Sequence, residues 1–410
     1  MDQTLLNSFR DPALVSELLR LIKQRVACIA SHRAAIGDVD TNGRPRPIRL
    51  MEVCGTHTVA IARAGFRSAL PSELKLISGP GCPVCVTANV DIDRVIALTR
   101  VPGVVVATFG DMIRVPGSST SLQQRKAEGA AIEVVYSPLD AIKLAEQYAE
   151  QMHTTQLAQP HAQQHTEHET RSNRAQIVLV GVGFETTTPL IASTIQRAAA
   201  LGLKNFSVLA IHKRVPPALK ALADDGDVAL DALILPGHVS TILGITPYEF
   251  LASDCHIPAC VVGFEPVDIL QGIAQLLEQL AFGTAEISNA YKRAVMQDGN
   301  PIARAAIARV FEESDATWRG LGLIPRSGYS IRAEFSRFDA AQRFAPELEA
   351  ALEPTVEPRA CRCGDVLRGL IAPNTCPLFA KACTPQNPVG ACMVSSEGSC
   401  AAYYRYQIKE

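Results

Sequence analysis

Short runs of Val, Ile and Leu alternate with amphipathic helical patterns along most of this 410-residue chain, and this alternation constrains its fold more than any other feature. The runs are nearly continuous in apolar residues, which is typical of parallel strands covered by helices on both faces. The sequence therefore predicts an α/β protein. The predicted strands are Arg49–Val53, Leu74–Ile77, Val104–Thr108, Ile132–Tyr136, Ile177–Gly181, Phe206–Ile211, Ala232–Leu235 and Ala259–Val262.

A polar stretch rich in Gln and His, residues 151–174, interrupts this alternation. We interpret it as a solvated linker or loop insertion, because such tracts bury too little apolar surface to offset their ordering entropy. Metal binding is the alternative, since four of the nine histidines lie here. The flanking patterns predict a helical segment over 1–36, α/β domains over 37–150 and 175–287, and a mainly helical or irregular domain over 288–410.

The composition excludes several classes of protein. A net charge of −2 gives no electrostatic case for binding nucleic acid or acidic lipid. No apolar run approaches the roughly 20 residues that a membrane-spanning helix needs, and the first residues lack the pattern of a secretory signal. We therefore expect the cytoplasm, where clustered cysteines are more often metal ligands or redox groups than structural disulfides.

Six of the twelve cysteines fall within the last fifty residues, at Cys361, Cys363, Cys376, Cys383, Cys392 and Cys400. A disulfide scaffold, a zinc site and an iron–sulfur cluster are the physical uses of such density. The expected compartment argues against a disulfide scaffold. A zinc site usually has two closely spaced cysteine pairs, whereas this tail has one. Irregular spacing among Gly and Pro favours a [4Fe-4S] cluster, with two spare thiols as a redox pair. Spacing alone does not choose which four are ligands.

Cys54 follows the first predicted strand in Glu52-Val53-Cys54-Gly55-Thr56-His57. Ligands bind at the carboxyl ends of strands in open α/β sheets, and a helix N-terminus favours thiolate. Cys54 is therefore a candidate metal ligand or nucleophile, and His57 a second ligand or an acid–base partner. The alternative is a buried cysteine beside a packing histidine.

A second thiol motif follows the next strand. Cys82 and Cys85 form a C-x-x-C on a turn that contains Gly79, Pro80 and Gly81. This spacing suits a reversible dithiol or transient metal binding. Half of a structural zinc site is the alternative, although the chain has no second C-x-x-C.

Two further turns follow predicted strands in the second half of the chain. Glu185 lies in Gly181–Thr188, whose glycines and hydroxyls resemble a phosphate loop but complete neither nucleotide fingerprint. A polar loop lining a cleft is the better interpretation. His238 follows Pro236-Gly237 and is a candidate acid, base or ligand, although a single histidine more often has a structural role.

Together these motifs resemble the HypD family of [NiFe]-hydrogenase maturation factors. The residues that carry the resemblance are Met51–His57, Ser78–Cys85, Gly183–Thr187, Pro236–Ser240, Cys363–Gly369, Cys383–Pro385 and Met393–Tyr404. The resemblance implies two Rossmann-like domains and a C-terminal domain that holds a [4Fe-4S] cluster. It also implies a scaffold for assembling the Fe(CN)2CO unit of the hydrogenase, with a redox role instead of ordinary turnover.

The resemblance also implies partners: iron held between this chain and a HypC-type chaperone, cyanide from HypE with HypF, and contact with the hydrogenase large subunit through HypC. It places the cluster on Cys361, Cys376, Cys383 and Cys400. Cys363 with Cys392, and Cys82 with Cys85, would be dithiols that carry electrons from the cluster to iron at Cys54. Cys82 and Cys85 are alternative iron ligands. A stand-alone [4Fe-4S]-dependent thiol–disulfide oxidoreductase is the competing function.

Overall fold

The computed structural model describes residues 9–158 and 175–407. Residues 159–174, which are most of the predicted linker, lie outside the described residues. The chain enters the fold through the predicted helix Pro12–Ala35, which begins where the Asp11 carboxylate accepts a hydrogen bond from the backbone N–H of Ala13.

The described strands form two parallel sheets and one antiparallel hairpin. The first sheet has the order β2-β1-β7-β8-β9, and the second the order β4-β3-β5-β6. The strands are β1 Ile48–Glu52, β2 Leu74–Ser78, β3 Val104–Thr108, β4 Ile132–Val134, β5 Gln176–Gly181, β6 Phe206–Ala210, β7 Ala232–Pro236, β8 Ala259–Val262, β9 Ile287–Asn289, β10 Phe311–Trp318 and β11 Gly322–Ile331. The prediction of a two-sheet α/β protein of Rossmann-like plan is confirmed.

Helices cover the faces of both sheets, as near-continuously apolar strands require. They are α1 Pro12–Ala35, α2 Gly55–Arg63, α3 Phe66–Ala69, α4 Pro83–Val86, α5 Asn89–Leu98, α6 Leu122–Ala127, α7 Pro138–Ala158, α8 Thr188–Ala200, α9 Val215–Ala223, α10 Gly237–Leu243, α11 Glu249–Ser253, α12 Pro266–Phe282, α13 Pro301–Val310, α14 Ala340–Arg343, α15 Ala345–Ala351, α16 Cys363–Leu367, α17 Ala391–Val394 and α18 Ser399–Gln407. None of the described helices is long and apolar enough to cross a membrane.

The assignment of strands to sheets corrects the sequence prediction. Residues 37–150 do not form one sheet, because β1 pairs with β7 while β3 and β4 pair within a second sheet that also contains β5 and β6. The chain leaves the first sheet after β2 and returns to it at β7. β3, β5, β7 and β8 are buried along their whole length, so their own sequences do not specify which neighbours they pair with.

Each sheet has a point where the chain reverses its direction of travel across the strands. In the first sheet this point lies between β1 and β7, and in the second between β3 and β5. Loops at the carboxyl ends of such strand pairs diverge and leave a crevice, which is the usual ligand site of open α/β sheets. Cys54 and His238 follow the first strand pair, and Glu185 follows β5 of the second.

The hairpin β10–β11 was not predicted, since residues 288–410 were expected to be helical or irregular. β10 is rich in polar residues, and buried and exposed positions follow one another irregularly in both strands, which conceals the alternation expected of a sheet. Trp318 is its buried anchor: the indole stacks on Phe184 with 5.9 Å between ring centroids, and its N–H donates to the Ser327 hydroxyl at 2.9 Å. One hydrophobic cluster contains Trp318, residues of β7 and cysteines of the tail, so the hairpin closes the core between the sheets and the C-terminal segment.

Candidate functional site: a thiol centre at the carboxyl edge of the first sheet

Cys54 lies where the sequence predicted, two residues beyond the end of β1 and directly before α2. The turn that follows β2 packs against its backbone. A Cβ atom on Gly81 would lie 2.1 Å from the amide nitrogen of Cys54, and the Gly55 N–H donates to the Gly81 carbonyl at 2.9 Å. Glycine at position 81 is therefore required for this close approach, which brings the C-x-x-C turn against the Cys54 turn.

The predicted thiolate character of Cys54 is wrong for the metal-free protein. Burial raises the pKa of the Cys54 thiol to about 11, because it removes the thiolate from water and only 8% of the residue is exposed. The backbone N–H of His57, with the N–H and hydroxyl of Thr56, favours thiolate, while the Glu397 carboxylate opposes it. Burial is the larger effect, so Cys54 must lose a proton when it binds a metal.

His57 lies behind Cys54 with its ring fixed. Its Nε2–H donates to the Gly263 carbonyl at 2.8 Å, and the ring stacks on Phe264 with 4.7 Å between centroids. Burial lowers the pKa of His57 to about 4, so the imidazole is neutral. Nδ1 is buried and has no hydrogen-bond partner among the described residues. Only that nitrogen is free to accept a proton or bind a metal, because Nε2 is already used.

Glu397 belongs to this centre and was not selected from the sequence. Its carboxylate accepts a hydrogen bond from Thr56 Oγ1 at 2.8 Å, across 341 positions of the chain. A Cβ atom on Gly55 would lie 2.6 Å from the Cβ of Glu397. The sequence signals were its place three residues before Cys400 and inside Met393–Tyr404, one of the segments that carry the family resemblance. Tertiary contact, not spacing, connects the cysteine-rich tail to the Cys54 turn.

His238 is exposed at the start of α10 and stacks on the other side of Phe264, with 4.0 Å between centroids. Partial burial lowers the pKa of His238, and the Glu397 carboxylate acts in the opposite direction. His57, Phe264 and His238 thus form one stack of rings beside Cys54. The structure brings His238 to the predicted centre as an exposed, weakly basic imidazole.

Glu185 lies on the second sheet, fully buried. Its Oε1 accepts the backbone N–H of Val215 at 3.0 Å, while Oε2 has no partner among the described residues. Burial raises the pKa of Glu185 to about 7. Burial also raises the pKa of Tyr248, and both Glu185 and Cys54 add to that effect, so the phenol lies near each of them. Glu185 is not in contact with Cys54 itself.

A disulfide joins Cys82, the residue before α4, to Cys85 within it, and both cysteines are buried. In this oxidised form neither sulfur is a free thiolate that could bind iron. The hairpin covers the motif, since the Arg319 N–H donates to the Val86 carbonyl at 2.8 Å and Thr87 pairs with Trp318. On the other side, Cys85 Sγ lies 4.0 Å from the Ala391 carbonyl oxygen, one residue before Cys392.

All six cysteines of the tail line one cavity, with apolar walls. The two sulfurs of Cys363 and Cys392 lie 2.8 Å apart. Contacts with the thiols of Cys361 and Cys392, aided by the Arg319 cation, hold the pKa of Cys363 well below that of an ordinary thiol. The pairing of Cys363 with Cys392 therefore agrees with the geometry, although their sequence spacing gave no reason for it.

The cavity offers the kind of donor set that iron–sulfur clusters use, which is cysteine sulfur. In residues 9–158 and 175–407, no three His, Cys, Asp or Glu side chains converge on a point where one metal ion could bind. The six thiols instead line the walls of a small cavity. The space depends on Gly390, where a Cβ atom would lie 2.7 Å from Cys361 Sγ, and the Val389 N–H donates to Cys383 Sγ at 3.4 Å. Soft sulfur donors with backbone N–H groups are the surroundings of iron–sulfur clusters.

Comparison with known proteins identifies the family. The HypD model, described as the hydrogenase formation hypA family, matches residues 29–155 and 161–407. The chain belongs to the HypD family. It is 42% identical over 401 residues to the hydrogenase maturation factor HypD of Rhodobacter capsulatus, covering 98% of this chain and 97% of the relative. It is 41% identical over 405 residues to the Escherichia coli K12 factor of that name, covering 98% of both chains.

An archaeal relative extends the comparison. The putative hydrogenase expression/formation protein MJ0993 of Methanocaldococcus jannaschii is 38% identical over 361 residues, covering 88% of this chain and 92% of the relative. This chain therefore belongs to a family of hydrogenase maturation factors. Motifs from both sheets of this HypD-family chain meet the cysteine-rich tail around Cys54 and the disulfide, which explains why the resemblance is spread along the whole sequence.

Proposed function

We propose that this chain is a scaffold that holds iron at Cys54 while the Fe(CN)2CO unit of a [NiFe] hydrogenase is assembled. One observation carries the proposal: the Cys54 turn contacts the C-x-x-C turn through Gly81 and the tail through Glu397. Three thiol-bearing segments that are far apart in sequence therefore contact one another. A stable fold does not need such an arrangement, whereas iron chemistry that consumes electrons does.

The iron is cargo in this proposal. A Cys54 thiolate is a soft ligand suited to iron that carries cyanide and carbon monoxide. Cys54 belongs to no set of three or more His, Cys, Asp and Glu side chains that could hold a metal ion within the described chain. A partner must then supply the remaining protein ligand, and this supports a HypC-type chaperone that shares the iron and passes it to the hydrogenase large subunit. HypE, loaded by HypF, is the cyanide donor.

The dithiols supply electrons in pairs. Releasing cyanide from a thiocyanate of HypE breaks one S–C bond and takes up two electrons. The Cys82/Cys85 dithiol provides them by closing its disulfide; one of its two protons goes to the leaving thiol and the other to solvent as cyanide binds iron. The structure holds this pair in its oxidised form. Exchange with the Cys363/Cys392 dithiol restores it and leaves that second pair as a disulfide, which must take up two electrons and two protons to become a dithiol again. Cys85 Sγ lies 4.0 Å from the carbonyl oxygen of Ala391, the residue before Cys392.

The tail would hold the resident cofactor. Cys361, Cys376, Cys383 and Cys400 line the cavity and are the proposed ligands. A [4Fe-4S] cluster bound there would supply single electrons. The protein's part is to exclude water through Leu378, Phe379 and Met393, and to hold the neighbouring thiols close together.

The competing function, a stand-alone thiol–disulfide oxidoreductase, is disfavoured by burial. Such an enzyme must present its disulfide to an external substrate. Here Cys82 is 3% exposed and Cys85 is 1% exposed, under Trp318 and the tail. An internal role in electron transfer agrees better with this geometry.

The test is anaerobic co-production of the chain with HypC-type and HypE-type proteins, followed by infrared spectroscopy of the purified complex. Cys82→Ser should remove the iron–cyanide bands and leave the cluster absorbance unchanged, because only the pair beside the iron is broken. Cys28→Ser is the matched control, since Cys28 is an exposed free cysteine far from the centre. Normal cyanide bands in Cys82→Ser would refute the redox role, and their absence from the wild-type complex would refute the scaffold.

A further inference from the structure

A groove runs beside β2, the strand at one edge of the first sheet. One wall is β2 itself, and the other includes Val366 and the segment Gly369–Pro373. Arg67 and Tyr403 line it, and its volume is about 430 Å³. The groove is separate from the cavity of the six cysteines and shares only Val366 with it.

The charge of the groove is one-sided. Its lining contains four cationic side chains and no Asp or Glu, and these cations are Arg46, Arg49, Arg67 and Lys75. Lys75 is exposed, and its ammonium group makes no hydrogen bond or ion pair within the described chain. A concave surface lined by one sign of charge attracts ligands of the opposite sign.

Carboxylates outside the groove only partly balance these cations. Arg46 pairs with Asp38 and Asp231, at 3.0 and 3.2 Å. Arg67 donates to the buried Glu52 at 3.2 Å. Burial raises the pKa of Glu52, which weakens it as a counter-charge to Arg67. The groove therefore keeps a net positive potential, to which Lys75 contributes most directly.

The main chain of β2 offers hydrogen bonds toward the groove. β2 pairs only with β1 among the described strands. The Ile48 N–H donates to the Glu73 carbonyl, and the Gly79 N–H to the Glu52 carbonyl. These two bonds determine which residues of β2 direct their N–H and C=O groups toward β1 and which direct them away. The N–H and C=O of Leu76 then point away from β1, toward the groove. An unpaired edge strand is a template for a further strand.

We propose that this groove binds an extended, acidic peptide segment of a partner protein, which adds to the first sheet beside β2. The edge of β2 would hydrogen-bond the main chain of the peptide, and the cations would bind its carboxylates. Leu70, Leu370 and Ile371 would take the apolar side chains that alternate with them. This docking surface does not depend on the thiol chemistry at Cys54.

Fluorescence anisotropy of the full chain with a labelled peptide of alternating Val and Glu tests the proposal. Lys75→Glu should weaken binding by about tenfold, the effect of losing one charge-assisted hydrogen bond. Ser72→Asp, which places an anion on an exposed residue of the groove, should also weaken it. Lys23→Glu makes the same charge change on an exposed part of α1 and should leave binding unchanged.

Three other probes distinguish the occupants. A Val–Lys peptide should not bind, and methylation of alternate backbone nitrogens of the acidic peptide should weaken it, because strand pairing needs those N–H groups. Equal binding of the methylated peptide, or its full displacement by equimolar inorganic phosphate, would overturn the proposal in favour of a simple anion site. Equal binding by wild type and Lys75→Glu would overturn it entirely.

Discussion

The close approach of the C-x-x-C turn to Cys54 can be tested with one methyl group, by the substitution Gly81→Ala. The new Cβ would lie 2.1 Å from the amide nitrogen of Cys54, 2.3 Å from its Cα and 2.4 Å from the carbonyl carbon of Val53. Carbon atoms in ordinary contact are about 3.5–4.0 Å apart. All three neighbours are backbone atoms, so no change of rotamer relieves the overlap and the two turns must move apart by more than about 1 Å.

This displacement also breaks a hydrogen bond between the two turns. The Gly55 N–H donates to the Gly81 carbonyl at 2.9 Å and would lose that acceptor. Overpacking and a buried N–H without a partner each cost about 1–3 kcal/mol, so the free energy of unfolding should fall by about 2–6 kcal/mol. Cys54 would also become more accessible, because the turn that covers it has moved.

Urea unfolding and peptide-resolved alkylation by iodoacetamide measure these two effects. Gly226→Ala is the matched control, since a Cβ atom there meets nothing within 4 Å and its φ is not in the left-handed region. The control should match wild type, and Gly81→Ala should be less stable with faster labelling of Cys54. If Gly81→Ala equals wild type in both measurements, the two turns do not touch as described and the argument for a shared centre fails.

Two further predictions concern protons. Because burial raises the pKa of Cys54 to about 11, its alkylation rate in the metal-free protein should rise about tenfold per pH unit from pH 7 to pH 10, and a plateau below pH 9 would contradict this. Burial raises the pKa of Glu185 from 4.5 to about 7, so the folded state binds the proton more tightly than the unfolded state. The resulting stabilisation, about 3 kcal/mol, is fully present below pH 4.5 and is lost as the pH rises through 7. Glu185→Gln cannot ionise and should flatten that part of the stability–pH curve; identical curves for the two proteins would show that Glu185 is not buried as described.

The local elements could be predicted because their signals are local. Val104–Thr108 and Ala259–Val262 are strands with the predicted bounds, since a short apolar run between turns has few other structures available. The placement of Cys54 beyond β1 followed from the same reasoning. The hairpin was missed because its first strand, β10, includes the exposed Glu312 and Glu313 and carries little apolar periodicity.

The relation between distant segments could not be predicted. Glu397 is an ordinary acidic residue in the sequence. It becomes part of the centre because Gly55 has no side chain in its way and the Thr56 hydroxyl donates a hydrogen bond to its carboxylate. The low pKa of His57 and the high pKa of Cys54 have the same origin. They depend on how completely the surrounding chain excludes water, which no motif records.

The sequence by itself determined the class of fold, the positions of the thiols relative to the strands, and the family. These follow from periodicity, turn residues and cysteine motifs, all of which act over a few neighbouring positions. Only the tertiary structure decided that β1 pairs with β7, that the disulfide of Cys82 and Cys85 lies buried under Trp318, and that the tail reaches the Cys54 turn. The physical reason is that strands apolar on both faces accept many neighbours, and long-range packing selects among them.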